Sequence, residues 1–152
     1  TITALFVGGM ILIGIDRLIP KVSTRSPDTL ATRDLLIIGL AQSLSIIPGV
    51  SRAAATIVGG VSVGLAKTDA VEFSFLLAVP TMLAATALDL SKSAYAFEGS
   101  EFVLLASGFF VSFIVALAAI KFLLAFIETH DFRPFGWYRI ALAAIFALAM
   151  LF

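Results

Sequence analysis

A single positive charge lies between two apolar segments that are each too short to cross a membrane. Arg52 follows a Pro-Gly pair at residues 48–49 and is flanked by apolar runs at 35–47 and 53–65. Each run has 13 residues and reaches ~20 Å as a helix, whereas the hydrocarbon core of a bilayer is ~30 Å thick. A charge near the bilayer centre costs at least ~2.5–3.5 kcal/mol, so Arg52 requires a partner or a water-filled pocket.

The residues before Arg52 predict that one helix ends and another begins there. Pro48 restricts the conformation of the residue before it, and Gly49 permits backbone angles that other residues avoid. Ser51 is a suitable N-cap for a helix that begins at Arg52. The first amides of that helix and the positive end of its dipole then point back at the break.

These groups together predict an anion site. Free amides, the hydroxyls of Ser51 and Thr56 and the guanidinium of Arg52 suit a phosphate group best. Gln42 lies about one helical turn before the break and is a further candidate contact, although a hydrogen bond between helices explains it equally well. The structural alternative is a capped turn from which Arg52 extends to the membrane interface.

The composition is that of an integral membrane protein. Of the 152 residues, 61% are hydrophobic and 13% are charged, whereas soluble domains have ~45–50% and ~25%. The chain has no cysteine, which excludes disulfides and thiolate metal sites, and its formal net charge of zero argues against a nucleic-acid partner. It begins at Thr1 without a basic leader, and we expect it to start within a longer protein.

The hydrophobic pattern predicts an all-α, polytopic membrane helix bundle that forms a single domain over residues 1–152. Spans are predicted at 2–19, 73–90, 102–127 and 135–152. Residues 35–65 are predicted to form a re-entrant helix hairpin, which enters to mid-depth and leaves on the same side. Irregular backbone at that depth must be buried in protein or line a wet cavity. A single kinked span is the alternative.

Basic residues in the connecting segments orient this bundle. A re-entrant hairpin places the connectors 20–34, 66–72 and 128–134 on one side of the membrane. Those connectors contain Lys21, Arg25, Arg33, Lys67 and Arg133. The opposite side has only Lys92, so the positive-inside rule makes the first side cytoplasmic. A single kinked span would divide the basic connectors between both sides.

The roles of two further residues, His130 and Arg139, each have two alternatives. His130, the only histidine, lies in a short connector, where a solvated or carbonyl-bonded imidazole is favoured over a catalytic one. Arg139, near the start of the last span, is either an anchor at the membrane interface or a second anion contact, and the anchor is favoured. No pair of carboxylates lies near Arg52 in the sequence, so we assign no metal ligand to this chain.

The segment from Pro48 to Thr56, Pro-Gly-Val-Ser-Arg-Ala-Ala-Ala-Thr, resembles the Pro-Gly-x-Ser-Arg-Ser-x-x-Thr signature of the bacitracin-resistance type undecaprenyl-pyrophosphate phosphatases. Ala53 replaces the second serine of that signature. Further similar stretches lie at 72–80, 87–90, 120–122 and 134–139, so the resemblance covers essentially the whole chain. Members of that family are nearly twice as long and contain two inverted repeats, each with a re-entrant hairpin. The present chain resembles the carboxy-terminal half, with the second hairpin.

The resemblance implies a site. Arg52 and Ser51 would be catalytic, with Arg52 contacting the pyrophosphate and stabilising the charge on the transferred phosphoryl group. The substrate-binding residues would be Pro48, Gly49, Ser51, Arg52, Thr56 and Gln42. A magnesium or calcium ion and the acid/base group would come from the other half, because its Glu-x-x-x-Glu motif is absent here.

The resemblance also implies an activity. The protein would hydrolyse undecaprenyl pyrophosphate to undecaprenyl phosphate in the bacterial plasma membrane and so recycle the lipid carrier of cell-wall synthesis. Its partners would be the polyprenyl pyrophosphate, membrane lipid and a second copy of the protein in a homodimer. We expect this chain alone to show little or no activity. A secondary transporter with a midplane anion site and a non-catalytic lipid-binding remnant remain as alternatives.

Overall fold

The computed structural model of the chain describes residues 1–18, 25–92 and 99–150. Within these ranges the α-helices are α1 (Ile2–Leu18), α2 (Thr32–Ser43), α3 (Arg52–Ser62), α4 (Lys67–Lys92), α5 (Gly99–Thr129) and α6 (Arg133–Ala149), with short 3-10 helices at Pro27–Thr29 and Leu44–Ile46. This part of the chain has no β-strand, so the predicted all-α class is confirmed. Lys21, the predicted loop residues 93–98 and the last two residues of the final predicted span lie outside the described residues.

Two of the described helices are long and apolar enough to cross a membrane. They are α4, with 26 residues, and the Phe102–Thr129 part of α5, with 28 residues. At 1.5 Å per residue these lengths correspond to about 39 and 42 Å. The helix α1 is apolar but shorter. The helix α6 begins at Arg133 with Pro134 in its first turn, as predicted.

The helix α4 begins at Lys67, within a segment that was predicted to be a polar connector. Ala70 and Val71 are fully buried and belong to the core around α3. Asp69 lies in the first turn, where a carboxylate is favourable beside the positive end of the helix dipole. Because Ala70 and Val71 are buried against the core around α3, the helix begins earlier in the sequence than hydropathy indicates.

The helices α2 and α3 form an antiparallel hairpin. Gly59 of α3 packs against Ile38 and Ala41 of α2, and Thr56, nearer the start of α3, lies beside Gln42, nearer the end of α2. A Cβ atom at Gly59 would lie 2.9 Å from that of Ala41, so the glycine permits this close approach. With 12 and 11 residues, the helices are about 18 and 17 Å long, shorter than a membrane span.

The helix α3 ends in a Schellman motif, three residues before the apolar run does. Leu65 N–H donates to Gly60 O at 3.1 Å and Gly64 N–H donates to Val61 O at 3.0 Å. Gly64 has a φ of +97°, a conformation that favours glycine. The predicted extent of the second half-helix to residue 65 is therefore corrected to Ser62.

Arg25 joins the two ends of the hairpin that lie far from its turn. Its Nη1 donates to Val63 O at 2.9 Å, just after α3, and its Nη2 donates to the Asp34 carboxylate at 2.7 Å, in the first turn of α2. The same carboxylate accepts a hydrogen bond from Ala31 N–H at 3.0 Å. This polar clamp lies at one end of the hairpin, and the Pro-Gly turn lies at the other.

The helices α1 and α6 pack antiparallel beside the hairpin through small residues. A Cβ atom at Gly136 would lie 2.8 Å from Gly9 O and 2.5 Å from the Ile13 side chain. Glycines at the crossing thus allow the two backbones to approach closely, as in membrane helix pairs. This pair carries Arg139 toward the turn of the hairpin.

The core surrounds α3, whereas α4 and α5 leave large apolar side chains exposed. Buried core residues are Leu12, Ile15, Ile38, Ile57, Val61, Leu65, Ala70, Val71, Ile127, Phe132 and Ala143. Leu83 of α4 and Leu104 of α5 are among many exposed apolar residues on the long helices. Apolar surface of this extent indicates contact with lipid or with further protein.

Candidate active site

The Pro-Gly break is a type II turn. Val50 N–H donates to Ile47 O at 3.0 Å, which places Pro48 second and Gly49 third in the turn. The φ of Gly49 is +96°, as the third position of this turn type requires. A Cβ atom there would also lie 2.6 Å from Thr1 O. Both the conformation and the contact with the start of the chain therefore require glycine.

Ser51 caps α3, as predicted. Its Oγ accepts a hydrogen bond from Ala54 N–H at 3.2 Å, and its backbone is extended. The first backbone bond of the helix runs from Ala55 N–H to Ser51 O at 2.9 Å. The amides of Arg52 and Ala53 consequently have no partner within the helix and are available to an anion.

The side chain of Arg52 extends toward α4. Its Nη1 donates to Thr81 Oγ1 at 2.7 Å. The Thr81 hydroxyl lies 2.9 Å from Leu77 O and 3.0 Å from Ala78 O, so its own hydrogen is directed to the backbone of α4 and a lone pair faces Arg52. Arg52 thus has a partner within the protein, as an intramembrane cation requires.

Thr81 was missed by the sequence analysis. The available signal was a hydroxyl directly after Pro80 in an apolar helix. That signal does not identify which other residue the hydroxyl contacts, since the partner lies 29 residues away.

Thr56 and Gln42 lie together inside the hairpin. Thr56 is 2% exposed, and its Oγ1 donates to Arg52 O at 2.9 Å, with Gln42 Oε1 at 3.4 Å. In this arrangement Thr56 fixes the first turn of α3 and the contact between the two helices. Direct contact of either residue with an anion stays a prediction.

Arg139 reaches the turn from α6. Its Nη2 donates to Gly49 O at 2.8 Å. A Cβ atom at Gly8 would lie 2.8 Å from the same nitrogen, so a glycine of α1 makes room for the guanidinium. The buried Nε of Arg139 has no hydrogen-bond partner among the described residues. The guanidinium is thus held against the hairpin turn in a partly buried position, and its role as an interface anchor or as an anion contact stays a prediction.

Two cavities meet at Ser51 and Arg139. The first, which we call the α5 cavity, has a volume of about 260 Å³ and lies between α3, α5 and α6. The second, the α1 cavity, has a volume of about 230 Å³ and lies between α1, α2 and α3. Arg52 lines neither cavity, because its side chain is directed to α4. The start of α3 therefore has one guanidinium on its α4 side and another beside the cavities.

The hydrogen-bond donors at the start of α3 suit an anion. The described residues contain no group of three or more His, Cys, Asp or Glu side chains that could hold a metal ion.

His130 lies in the connector after α5, stacked on Phe126 with ring centroids 4.2 Å apart, and its Nδ1 contacts Thr129 Oγ1 and Phe126 O. The contact with Phe126 O fits the predicted carbonyl-bonded imidazole, and the absence of a catalytic role for His130 stays a prediction.

Fold and site together define an all-helical protein with helices of membrane-spanning length and a cationic site at a broken hairpin. The pattern that defines the family described as "Bacitracin resistance protein BacA" matches residues 1–145. The chain belongs to this family, as its resemblance predicted.

Several relatives are named undecaprenyl-diphosphatase. The protein of Lacticaseibacillus paracasei is 52% identical over 118 residues, which is 76% of this chain and 43% of that protein. Undecaprenyl-diphosphatase 2 of Rhodospirillum rubrum is 44% identical over 143 residues, 94% of this chain and 52% of that protein. The Aquifex aeolicus protein is 43% identical over 152 residues, 99% of this chain and 59% of that protein. The chain spans about half the length of the curated relatives it matches.

Proposed function

We propose that this chain contributes the diphosphate-binding half of an undecaprenyl diphosphatase. The relatives carry that name. The main supporting observation is the placement of two guanidinium groups at the start of α3. Arg52 is the first residue of that helix, and Arg139 is bonded to Gly49, three residues before it. Two cations beside free helix amides match the charge of a diphosphate.

Each group has donors left for the substrate. A guanidinium has five N–H donors, and Thr81 takes one of those of Arg52. Arg139 uses one on Gly49 O and retains its unpartnered Nε. The Ser51 oxygen accepts from Ala54 N–H, which leaves its hydrogen free to donate to a phosphate oxygen. Phosphoryl transfer requires mainly such positioning and charge stabilisation.

In the proposed reaction, water attacks the terminal phosphorus and the bond to the bridging oxygen breaks. Undecaprenyl phosphate and inorganic phosphate are released, and Arg52 and Arg139 stabilise the charge that collects on the phosphoryl oxygens. The described residues near the site include no general base. We assign that group, and the ligands of an expected magnesium or calcium ion, to another part of the protein. This chain alone should then have little or no activity.

The hairpin is proposed to be re-entrant. Its helices are too short to span, and its polar clamp around Arg25 and Asp34 lies opposite the Pro-Gly turn. The clamp would lie at the cytoplasmic surface and the turn near mid-depth, as the basic connectors indicate. An inverted copy of the hairpin, outside this chain, would complete the site. We further propose that the protein crosses the plasma membrane several times and that two copies of it form a homodimer.

The test is Arg52→Ala in the complete gene product. Release of phosphate from undecaprenyl diphosphate is measured in detergent solution, where transmembrane flux is absent and a transporter would show no turnover. We expect turnover to fall by at least about two orders of magnitude, because Arg52 meets charge in the transition state. The matched control is Arg33→Ala, an exposed arginine of α2, which should retain activity. Near-normal turnover of Arg52→Ala with an unchanged melting temperature would reject the assigned role.

A further inference from the structure

We infer that Gly8 is a positioning residue for the proposed reaction and acts through Arg139. The inference rests on the proposed function and adds α1 to the elements that arrange the site. The three heavy atoms nearest to a Cβ atom at Gly8 would all belong to the Arg139 guanidinium, with Nη2 at 2.8 Å and both Cζ and Nε at 3.3 Å. The guanidinium therefore occupies the volume that a side chain at residue 8 would fill.

The contact with Gly8 involves the charged end of Arg139. The Nη2 atom beside Gly8 is the one that donates to Gly49 O at 2.8 Å. The neighbouring Nε is the buried donor without a hydrogen-bond partner among the described residues. A guanidinium is planar and rigid, so the place of its plane fixes the directions of all its N–H donors. The space at Gly8 thus determines where the donors that remain for a phosphate point.

The same face of α1 contacts the turn to which Arg139 is bonded. Ala4 lies one helical turn before Gly8, and a Cβ atom at Gly49 would lie 3.2 Å from the Cβ of Ala4. The same Cβ atom would lie 2.6 Å from Thr1 O. The start of α1 therefore borders both members of the bond between Arg139 and Gly49 and fixes the guanidinium relative to the turn.

The adjacent glycine of α1 has a different role. A Cβ atom at Gly9 would lie 2.8 Å from Gly136 O, a backbone atom that cannot move unless α1 and α6 separate. A Cβ atom at Gly8 would first meet the end of a long, flexible side chain. That side chain can move with little loss of packing, but its guanidinium then leaves the place from which it bonds to the turn. Substitution of Gly8 should therefore act on the position of Arg139, and substitution of Gly9 on helix packing.

An alanine at residue 8 would displace the guanidinium far enough to affect phosphoryl transfer. Ordinary van der Waals contact begins at 3.4 Å, so Nη2 would have to move outward from its 2.8 Å separation. Misplacement of a positioned group by ~1 Å can cost roughly a hundredfold in rate. For this smaller displacement we expect Gly8→Ala to lower kcat/KM about tenfold.

The experiment is a double-mutant cycle in the complete gene product, with kcat/KM measured as phosphate release from undecaprenyl diphosphate. Gly8→Ala is compared in the wild-type protein and in Arg139→Met. We expect about a tenfold loss in the wild-type background and no further loss in Arg139→Met, because the group through which Gly8 acts is then absent. Equal losses in both backgrounds, or no loss in either, would overturn the inference.

Gly14→Ala is the matched control on the same helix. A Cβ atom there meets no heavy atom within 4 Å, and the gain in helix propensity from glycine to alanine is the same as at Gly8. The control should retain the kcat/KM of the wild type.

The double variant keeps the inference testable if Gly8→Ala does not fold. If Gly8→Ala with Arg139→Met folds and has the activity of Arg139→Met alone, the clash with the guanidinium caused the misfolding and the inference is supported. If the double variant also fails to fold, Gly8 is required for helix packing and the inference is wrong.

The inference and the proposed function fail in different ways. If Arg52→Ala is inactive but Gly8→Ala has the wild-type kcat/KM, the role of Gly8 is wrong and the proposed function stands. If wild-type protein releases no phosphate from undecaprenyl diphosphate, the proposed function is wrong. Calorimetric binding of inorganic pyrophosphate then tests the role of Gly8 at an anion site. Weaker binding in Gly8→Ala, with no such difference in the Arg139→Met background, would support that role, and unchanged binding would overturn it.

Discussion

Arg139 Nη2 donates to the carbonyl oxygen of Gly49 at 2.8 Å and joins two residues that are 90 positions apart in the sequence. The bond attaches α6 to the turn that precedes α3. Because the turn sets the direction in which α3 begins, the position of the helix amides depends on a side chain from a distant helix. Among the described residues, the buried Nε of the same guanidinium has no hydrogen-bond partner.

Arg139→Met should weaken both the turn and the site. We expect the variant to lose about two orders of magnitude in kcat/KM, because the proposed diphosphate site would lose one of its two cations. The melting temperature should also fall, since the partly buried carbonyl of Gly49 loses its donor. Arg133→Met, at the exposed start of α6, is the control. Full activity of Arg139→Met would show that this guanidinium has no part in the reaction.

Gly49→Ala should destabilise the protein and lower its activity. Alanine would have to adopt a φ near +96° and place its Cβ 2.6 Å from Thr1 O. Backbone strain of this kind costs roughly 1–3 kcal/mol. Gly39→Ala is the matched control, because a Cβ atom there meets no heavy atom within 4 Å and alanine favours a helix. Unfolding in a denaturant series should separate the two variants, and equal stability would contradict the turn assignment.

Thr81→Val should reduce turnover without unfolding the protein. Valine keeps the shape of threonine but cannot accept the hydrogen bond from Arg52 Nη1. Bonds to charged groups contribute about 1.5–3 kcal/mol, so kcat should fall roughly tenfold to hundredfold. Thr81→Ser should restore most of it. Thr129→Val, at an exposed hydroxyl, should have no effect on kcat, and a similar loss in both valine variants would disprove the link to Arg52.

Ala53→Ser restores the hydroxyl of the family signature at the wall of the α5 cavity. We expect a modest change in kcat/KM, within a few-fold, because Ser51 already provides a hydroxyl at the helix start. Steady-state kinetics on undecaprenyl diphosphate measures this directly. A large gain would mean that the replacement of serine by alanine has a greater effect on the site than we infer.

The contribution of the ion pair between Lys67 and Asp131 to stability should disappear in acid. Lys67 Nζ lies 2.8 Å from the Asp131 carboxylate, and this hydrogen bond, followed by the charge of Lys67, lowers the pKa of Asp131 below its ordinary value. A carboxyl with a lowered pKa in the folded state stabilises the protein above its unfolded pKa and loses this effect as pH falls through the folded pKa. Asp131→Asn should therefore lower the melting temperature slightly at pH 7, with a difference that vanishes below the folded pKa. Asp28→Asn, an exposed aspartate, is the control, and a difference that persists in strong acid would contradict the ion pair.

Local features of the fold follow from the sequence because their causes lie within a few residues. Pro48 and Gly49 determine the turn through φ preferences, and Ser51 caps a helix through an amide three residues later. The lengths of the two half-helices follow from the same signals to within three residues. Family membership also follows from this segment, since its turn, cap and charge occur together.

Contacts between distant segments were decided only by the tertiary structure. The partner of Arg52 is a hydroxyl 29 residues away, and Arg139 meets Gly49 across 90 residues. The early start of α4 likewise depends on burial of Ala70 and Val71 in the core around α3. Sequence periodicity reports which residues are apolar or charged, but the partner of a charge depends on how helices pack. The amino-acid sequence therefore determined the turn and the helix start, and packing of α4 and α6 against them determined where the two guanidinium groups lie.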